Sequence, residues 1–303
     1  LGGTGGTAMA TAAMRELPIG VPKVMVSTAA GGDVSGYVGV KDIVMIPSIV
    51  DVAGINRISR SVFARAAGAI CGMVETEVPA SEEKPLIAAS MFGNTTPAVN
   101  RASRRLEEAG YEVLVFHCTG NGGRSLENLV REGHIAGVLD ITTTELADDL
   151  AGGVFSAGPG RLTAAAATGV PAVVTPGCLD MVNFWAPETI PQEFSERTFY
   201  RHNPNVTLMR TTPEENAKLG ASLAEKVNES TGPVTVLIPL KGVSMIDGPE
   251  GAFYDPAAND ALFGAIRENL REAITLIEMD NFINDDAFAD RCASELLTLM
   301  KEN

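Results

Sequence analysis

The chain has 303 residues, 45% hydrophobic and 20% charged, enough apolar side chain to fill a core in each of two domains and too much for a disordered chain. Its formal charge of −15, from 23 Lys and Arg against 38 Asp and Glu, leaves no basic footprint for nucleic acid. No apolar run approaches the roughly 18 to 20 residues that span a bilayer. Four scattered cysteines without a C-x-x-C pair suit a reducing, cytoplasmic setting better than a disulfide or zinc framework.

The chain opens on Leu1-Gly2-Gly3-Thr4-Gly5-Gly6-Thr7, followed by an Ala- and Met-rich helix over residues 8–17. Such loops work at a strand end, where backbone N–H groups turn toward an anion as a helix begins. No strand precedes this one, so the expectation is a first domain that lacks its initial α/β units. Val24–Ser27 and residues 43–46 read as buried strands, and residues 56–74 as a helix. The polar, proline-flanked run from Pro79 to Pro85 has no periodicity. Residues 1–84 are therefore expected to form one α/β domain and 85–303 a second.

In the second domain Leu86–Met91 and residues 112–116, 137–140, 172–175, 234–238 and 273–277 read as strands. Thr96-Pro97 starts a helix, as does Thr212-Pro213-Glu214-Glu215, which has capping-box spacing. Helices over 257–268 and 285–301 close the chain. This alternation predicts two Rossmann-like α/β domains with mainly parallel sheets. Their strand carboxyl ends are expected to face a shared cleft, where ligands of such sheets bind.

Two motifs recur. Gly120-Asn121-Gly122-Gly123-Arg124 repeats Gly3-Thr4-Gly5-Gly6-Thr7, and Pro176-Gly177-Cys178-Leu179-Asp180 repeats Pro47-Ser48-Ile49-Val50-Asp51. With residues 24–28 aligned to 138–142, the two domains read as copies of one unit.

The first loop fits the relaxed dinucleotide pattern G-x-G-x-x-[GA], but a nicotinamide site also needs an acidic residue about 20 positions on. Ser27-Thr28 stand there instead, and no Lys follows the glycines as a Walker loop requires. What remains is a phosphate cradle. Its candidates are Gly2, Gly3, Thr4, Gly5, Gly6, Thr7 and Thr28, with Thr119, Gly120, Gly122, Gly123 and Arg124 at the second loop. Arg124 would add a bidentate cationic contact. The run Asp140-Ile141-Thr142-Thr143-Thr144-Glu145 adds Thr142 and Thr143. Asp140 and Asp180 are the candidate magnesium ligands, with Glu145 as a third carboxylate, since nucleotide-bound magnesium takes one or two carboxylates plus phosphate oxygens. Lys241, beyond strand 234–238, is placed to meet a phosphate or carboxylate.

Each feature also has a structural reading. The glycines serve tight turns and close packing, Thr144 caps a helix, Asp51, Asp140 and Asp180 brace turns, and Lys241 is solvated. His202 is the one histidine considered for acid–base work, whereas His117 reads as a hydrogen-bonded strand-end residue. Cys118 and Cys178, at two strand ends, allow a two-cysteine racemase-like proton exchange against the plainer reading of buried thiols as small hydrophobes.

The segments LGGTGGT, PSIVDVAGINRIS, MFGNTTPAVN, FHCTGNGGRSLE, GVLDITTTELAD, LDMVNF, LMRTTPEEN and FYDP closely resemble the N-terminal ATP-binding domain of the tomato mosaic virus resistance protein and its bacterial and fungal relatives. The resemblance runs from Leu1 to about Ala289. It implies an ATP-binding α/β protein of two subdomains, preceded by further residues. The plant member restrains viral replication by binding a viral protein, a role that rests on surface residues these motifs do not fix. Its second, barrel-type domain has no counterpart here, which makes a separate barrel-type polypeptide a candidate partner.

The reading is thus a cytoplasmic protein that binds ATP and Mg2+ in an interdomain cleft, with neither nucleic acid nor membrane as partner. Gly122→Asp is expected to abolish nucleotide binding with the fold intact. Alternatives are an ATP-dependent enzyme acting on a small carboxylate near Lys241, Arg124 and His202, a non-catalytic protein-interaction module, and the racemase. Homo-oligomerisation is a further expectation.

Overall fold

The computed structural model describes residues 1–79 and 83–302. Residues 80–82, part of the run expected to join two domains, lie outside that description. The chain divides into two compact units, Leu1–Glu82 and Glu83–Asn303.

The first unit contains α1 (Thr4–Arg15), β1 (Val24–Ser27), α2 (Ser35–Val38), β2 (Val44–Pro47) and α3 (Arg57–Glu75). β1 and β2 pair in parallel, Val24 opposite Val44, and the buried Met25 and Val26 form the centre of the unit. Gly2 bridges Ser27 in parallel, its N–H donating to the Val26 carbonyl at 3.0 Å. The chain therefore enters α1 alongside β1. Helix α1 begins at Thr4 rather than at residue 8, which makes Gly5 and Gly6 part of its first turn. Thr7 ties the helix to the strand through a 2.6 Å hydroxyl–hydroxyl hydrogen bond with Ser27. At α3 the Asn56 side chain accepts from the Ile58 and Ser59 amides while Ser59 Oγ accepts from the Asn56 N–H, a reciprocal cap that fixes where the helix starts.

The second unit runs β3 (Leu86–Met91), α4 (Thr96–Glu108), β4 (Glu112–His117), α5 (Asn121–Arg131), β5 (Ile135–Thr142), α6 (Glu145–Ala151), α7 (Ala164–Thr168) and β6 (Ala172–Gly177). It continues through β7 (Met181–Phe184), β8 (Phe199–Asn203), β9 (Val206–Arg210), α8 (Pro213–Asn228), β10 (Val234–Pro239), α9 (Pro256–Asn269), β11 (Thr275–Met279) and α10 (Asp286–Glu302). The six-stranded sheet has the order β11-β10-β6-β5-β3-β4, parallel throughout. Strands β6 and β10 are buried along their whole length, as central strands covered on both faces must be. Leu126, Leu223 and Ile266 pack on one face, from α5, α8 and α9. Val99, Leu106 and Phe288, from α4 and α10, pack on the other. The capping box at Thr212 forms with Glu215 as its second member.

Two features depart from the sequence reading. Strands β7, β9 and β8 form a small antiparallel sheet, Met181 opposite Arg210 and Phe199 opposite Met209. Its Met181 and Leu208 join Phe92, Phe155, Cys178 and Phe253 in a separate apolar cluster. Phe92 follows β3 and Cys178 follows β6, so this cluster occupies strand-end space that open α/β sheets commonly leave to ligands. Second, the two glycine loops are not topological counterparts. The first lies beside β1, whereas the second follows β4, which pairs with β3 and not with β5. Among the described residues no helix is long and apolar enough to cross a membrane.

Candidate functional site

The two glycine loops differ in what already fills them. At the first, no described acceptor meets the N–H groups of Thr4, Gly5 and Gly6, and N-cap Gly3 supplies no side chain to cover them. These are the unsatisfied donors that every helix start carries, and all three residues are exposed. A Cβ at Gly5 would meet nothing within 4 Å, so an anion could come close to the backbone. The exposed Thr28, next to Ser27 at the end of β1, makes no hydrogen bond through its hydroxyl among the described residues. Thr7, by contrast, is buried, and its hydroxyl donates to the Gly3 carbonyl at 2.8 Å, so it serves the loop rather than a ligand. Gly2 spends both backbone groups on β1.

A second anomaly stands nearby in the sequence. Ile49, just past β2, has φ of 67° and is 74% exposed. A β-branched residue in the left-handed region is a true outlier, and an exposed apolar one gains nothing from burial. Cys178, its counterpart in the repeated Pro-to-Asp motif, has φ of 59°. The two turns therefore share an unusual backbone as well as a sequence pattern. Cys178, however, is fully buried.

The second loop holds an anion that the chain supplies itself. Glu145 Oε1 accepts from the Gly120 amide at 2.7 Å and the Gly123 amide at 3.0 Å. A Cβ on Gly123 would stand 2.0 Å from Glu145 Oε2, and one on Gly122 would stand 1.8 Å from the His117 carbonyl oxygen. Gly122 is thus required for the helix to approach the strand, and Gly122→Asp could not leave the fold intact. Arg124 is exposed and bonds Asn121 within its own helix turn. The Thr119 hydroxyl lies against the His117 carbonyl.

Glu145 belongs to a buried charge cluster that composition alone did not disclose. Arg161, 1% exposed, places its guanidinium on both oxygens of Asp140, at 2.6 and 2.5 Å, on Glu145 Oε2 at 2.7 Å and on Glu127 at 3.3 Å. Ser90 and the Thr142 carbonyl complete its surroundings. Burial opposes the charge on Arg161, but Asp140 and Glu145 hold its proton well above the usual guanidinium range. Next to it Leu162 takes φ of 67°, and its amide donates to Glu127 at 2.6 Å. Asp140 is thereby committed to an internal ion pair. Thr142 shares a 2.7 Å hydrogen bond with Thr95, and Thr143 donates to the Thr175 carbonyl; both are fully buried.

Asp180 is also enclosed, accepting from Ser244 at 2.7 Å, with its other oxygen unpartnered. It belongs with Asp247, whose Oδ2 accepts from the Val243 amide and from Asn259 and whose Oδ1 lies 3.7 Å from Arg210. Burial, then the neighbouring Asp180 charge, push the Asp247 carboxyl up to about 7. Among the described residues no group of three or more His, Cys, Asp or Glu side chains is arranged for a metal ion. Cys118 and Cys178 are both buried, and burial holds each thiol well above its ordinary range, which leaves the racemase reading without a reachable thiolate. His117 stacks on Phe92 at 5.4 Å, and burial lowers its pKa. His202 lies near Gly93 on the exposed strand β8. Lys241 is half-exposed and 3.1 Å from Asp280. Asp51 is exposed and accepts from the next amide.

The comparisons with known proteins cover the whole of this arrangement. Residues 1–79 match the N-terminal domain model of the uncharacterised protein family UPF0261, and residues 84–300 match the C-terminal domain model of that family. A UPF0261 protein of Clostridium tetani is 52% identical over 304 residues, which is 100% of this chain and 75% of the relative. One from Rhizobium meliloti is 51% identical over 96% of this chain and 73% of its own length. The ToMV resistance protein Tm-1(GCR237) of Solanum lycopersicum is 45% identical over 99% of this chain, which corresponds to 41% of the tomato protein.

Proposed function

The chain belongs to the UPF0261 family, and from that premise we propose that it binds the phosphates of a nucleotide, Mg-ATP, at the first glycine loop. One observation carries this reading. Thr4, Gly5 and Gly6 are exposed and adjacent, and among the described residues no acceptor meets their N–H groups, at the start of a helix whose dipole favours an anion. The Thr4 and Thr28 hydroxyls would add donors beside them. The second loop does not share the role, because Glu145 already fills its amide cradle.

Magnesium fits this site only as part of the nucleotide. Neither Asp140, locked to Arg161, nor the enclosed Asp180 presents a free face. The ion would therefore be held by phosphate oxygens and water.

Calorimetric titration of the chain with Mg-ATP tests the proposal. Gly5→Glu places a carboxylate on the amides in a position with open space and should abolish binding, whereas Arg124→Ala at the second loop should leave it unchanged. Undiminished affinity in Gly5→Glu would reject the assignment. Phosphate release in the same titration separates an ATP-consuming enzyme from a module that only holds nucleotide.

A further inference from the structure

Beyond β10 the chain winds through residues 240–255 before α9, and this loop is held at nearly every step. The Leu240 and Lys241 amides donate to the Met279 and Asn281 carbonyls at 2.9 and 3.1 Å, and Phe253 donates to Ile246 at 3.0 Å. The buried Asp247 accepts from the Val243 amide at 2.9 Å inside the turn. Gly242 and Gly248 leave room for the Phe282 ring, since a Cβ on either would stand 3.3 Å from it. The wall so formed is hydrogen-bonded within the chain along most of its length.

Against this wall lies a cavity of about 370 Å³ bounded by Leu240, Pro249, Tyr254, Pro256 and Phe282, with Lys241 and Asp260 also lining it. Its size falls within the range of small-molecule sites, which are mainly apolar with a few polar groups that fix orientation. Two aromatic rings and two prolines offer flat surfaces suited to a planar ring. Two polar groups are open to a ligand. Among the described residues Lys241 has one ion-pair partner, Asp280, whose side chain is 82% exposed, and exposed pairs of that kind are weak. The Tyr254 hydroxyl has no partner among the described residues.

We propose that this cavity binds a small organic anion with a flat apolar body, an aryl carboxylate or aryl phosphate. The ring would lie against Tyr254 and Phe282, and the anionic group would meet the Lys241 ammonium and the Tyr254 hydroxyl. Among the described residues Asp260 is the one acid of the lining, and it opposes the ligand's charge. The site is in the second unit and does not depend on nucleotide at the first glycine loop.

The test titrates the chain with benzoate, phenyl phosphate and, as the neutral control, benzyl alcohol, followed by calorimetry and ligand-observed NMR. Both anions are expected to bind and the alcohol to bind more weakly. Lys241→Gln should weaken the anions about 10-fold, as loss of a charge-assisted hydrogen bond does, and Tyr254→Phe should weaken them less. Asp260→Asn should strengthen them. Equal binding of benzyl alcohol, unchanged affinity in Lys241→Gln, or no binding of either anion would each overturn the proposal. Gly5→Glu separates the two sites, because it should remove Mg-ATP binding and leave the aryl anions as they are; loss of the anions in that variant would also count against an independent site.

Discussion

Arg161 Nε and Glu145 Oε2 meet at 2.7 Å with neither side chain exposed, and the other oxygen of the same carboxylate caps the second glycine loop. One buried arginine therefore holds the residue that stands where an anionic ligand was expected. Replacing Arg161 with Met would leave Asp140 and Glu145 buried without its charge and Glu127 with only Arg131, 3.5 Å away. Breaking a buried pair in this way costs about 3–5 kcal/mol. Urea denaturation of Arg161→Met at neutral pH should show a loss of that size. Arg161→Lys should recover little, because an ammonium cannot span Asp140 in the two-pronged manner of a guanidinium.

The glycine loops make opposite predictions for alanine. Gly122→Ala would place a Cβ 1.8 Å from the His117 carbonyl oxygen, so α5 must move off β4. The expected cost exceeds the about 1–3 kcal/mol of ordinary overpacking. Gly5→Ala meets nothing within 4 Å in the first turn of α1 and should stabilise the chain by about 0.5–1 kcal/mol, the usual helix preference of Ala over Gly. Paired denaturation curves decide both. Equal tolerance at the two positions would show that the loops are not differently packed.

Much of the parallel sheet was legible because its central strands are short β-branched runs: β6 and β10 start where the sequence placed them and extend by two residues and one. The Thr212 cap was legible because a Thr with Glu three residues on has a local chemical meaning. Strands β7 and β8 were hidden because neither alternates: β7 is buried at all its positions and β8 is mostly exposed, so no period of two stands out. Arg161 was hidden for a different reason. A lone arginine in Gly-Pro-Gly-Arg-Leu looks like a loop residue, and only the fold brings Asp140, Glu145 and Glu127 around it. The left-handed Leu162 beside it could not be read from a residue type that normally avoids that region.

Thiol chemistry offers a direct check on burial. Cys71 is exposed, whereas Cys118, Cys178 and Cys292 are buried, and burial pushes the Cys292 thiol beyond its ordinary range as it does the other two. Because thiolate is the reactive form, a maleimide or disulfide reagent at pH 8 should modify one cysteine rapidly, and peptide mapping should identify it as Cys71. The other three should react only with unfolding. Fast labelling of Cys118 or Cys178 in the folded chain would reopen a chemical role for those thiols.

Asp247 predicts a pH dependence with a definite sign. Its carboxyl is raised from an ordinary value of 3.8 to about 7 by burial and by the Asp180 charge, against the pull of the Val243 amide, Arg210 and Asn259. Asp180 is raised as well, mainly by burial. Between those two values the folded chain holds a proton that the unfolded chain has released. The native state binds more protons than the unfolded one, so stability falls as pH rises. The contribution is fully present below about pH 4 and lost as pH passes through about 7, a change on the order of 2–4 kcal/mol. Asp148, also raised to about 7 by burial, adds a slope of the same sign, so the assignment requires a difference between variants. Thermal melts of the wild-type chain from pH 5 to 8 should show a falling Tm. Asp247→Asn keeps an oxygen for the Val243 amide but has no proton to lose, and should flatten part of that fall while Asp148→Asn flattens a separate part. A slope unchanged by Asp247→Asn would mean that the Asp180–Asp247 pair is ionised throughout, its charge met by Arg210 and by the donors Val243 N–H, Asn259 and Ser244.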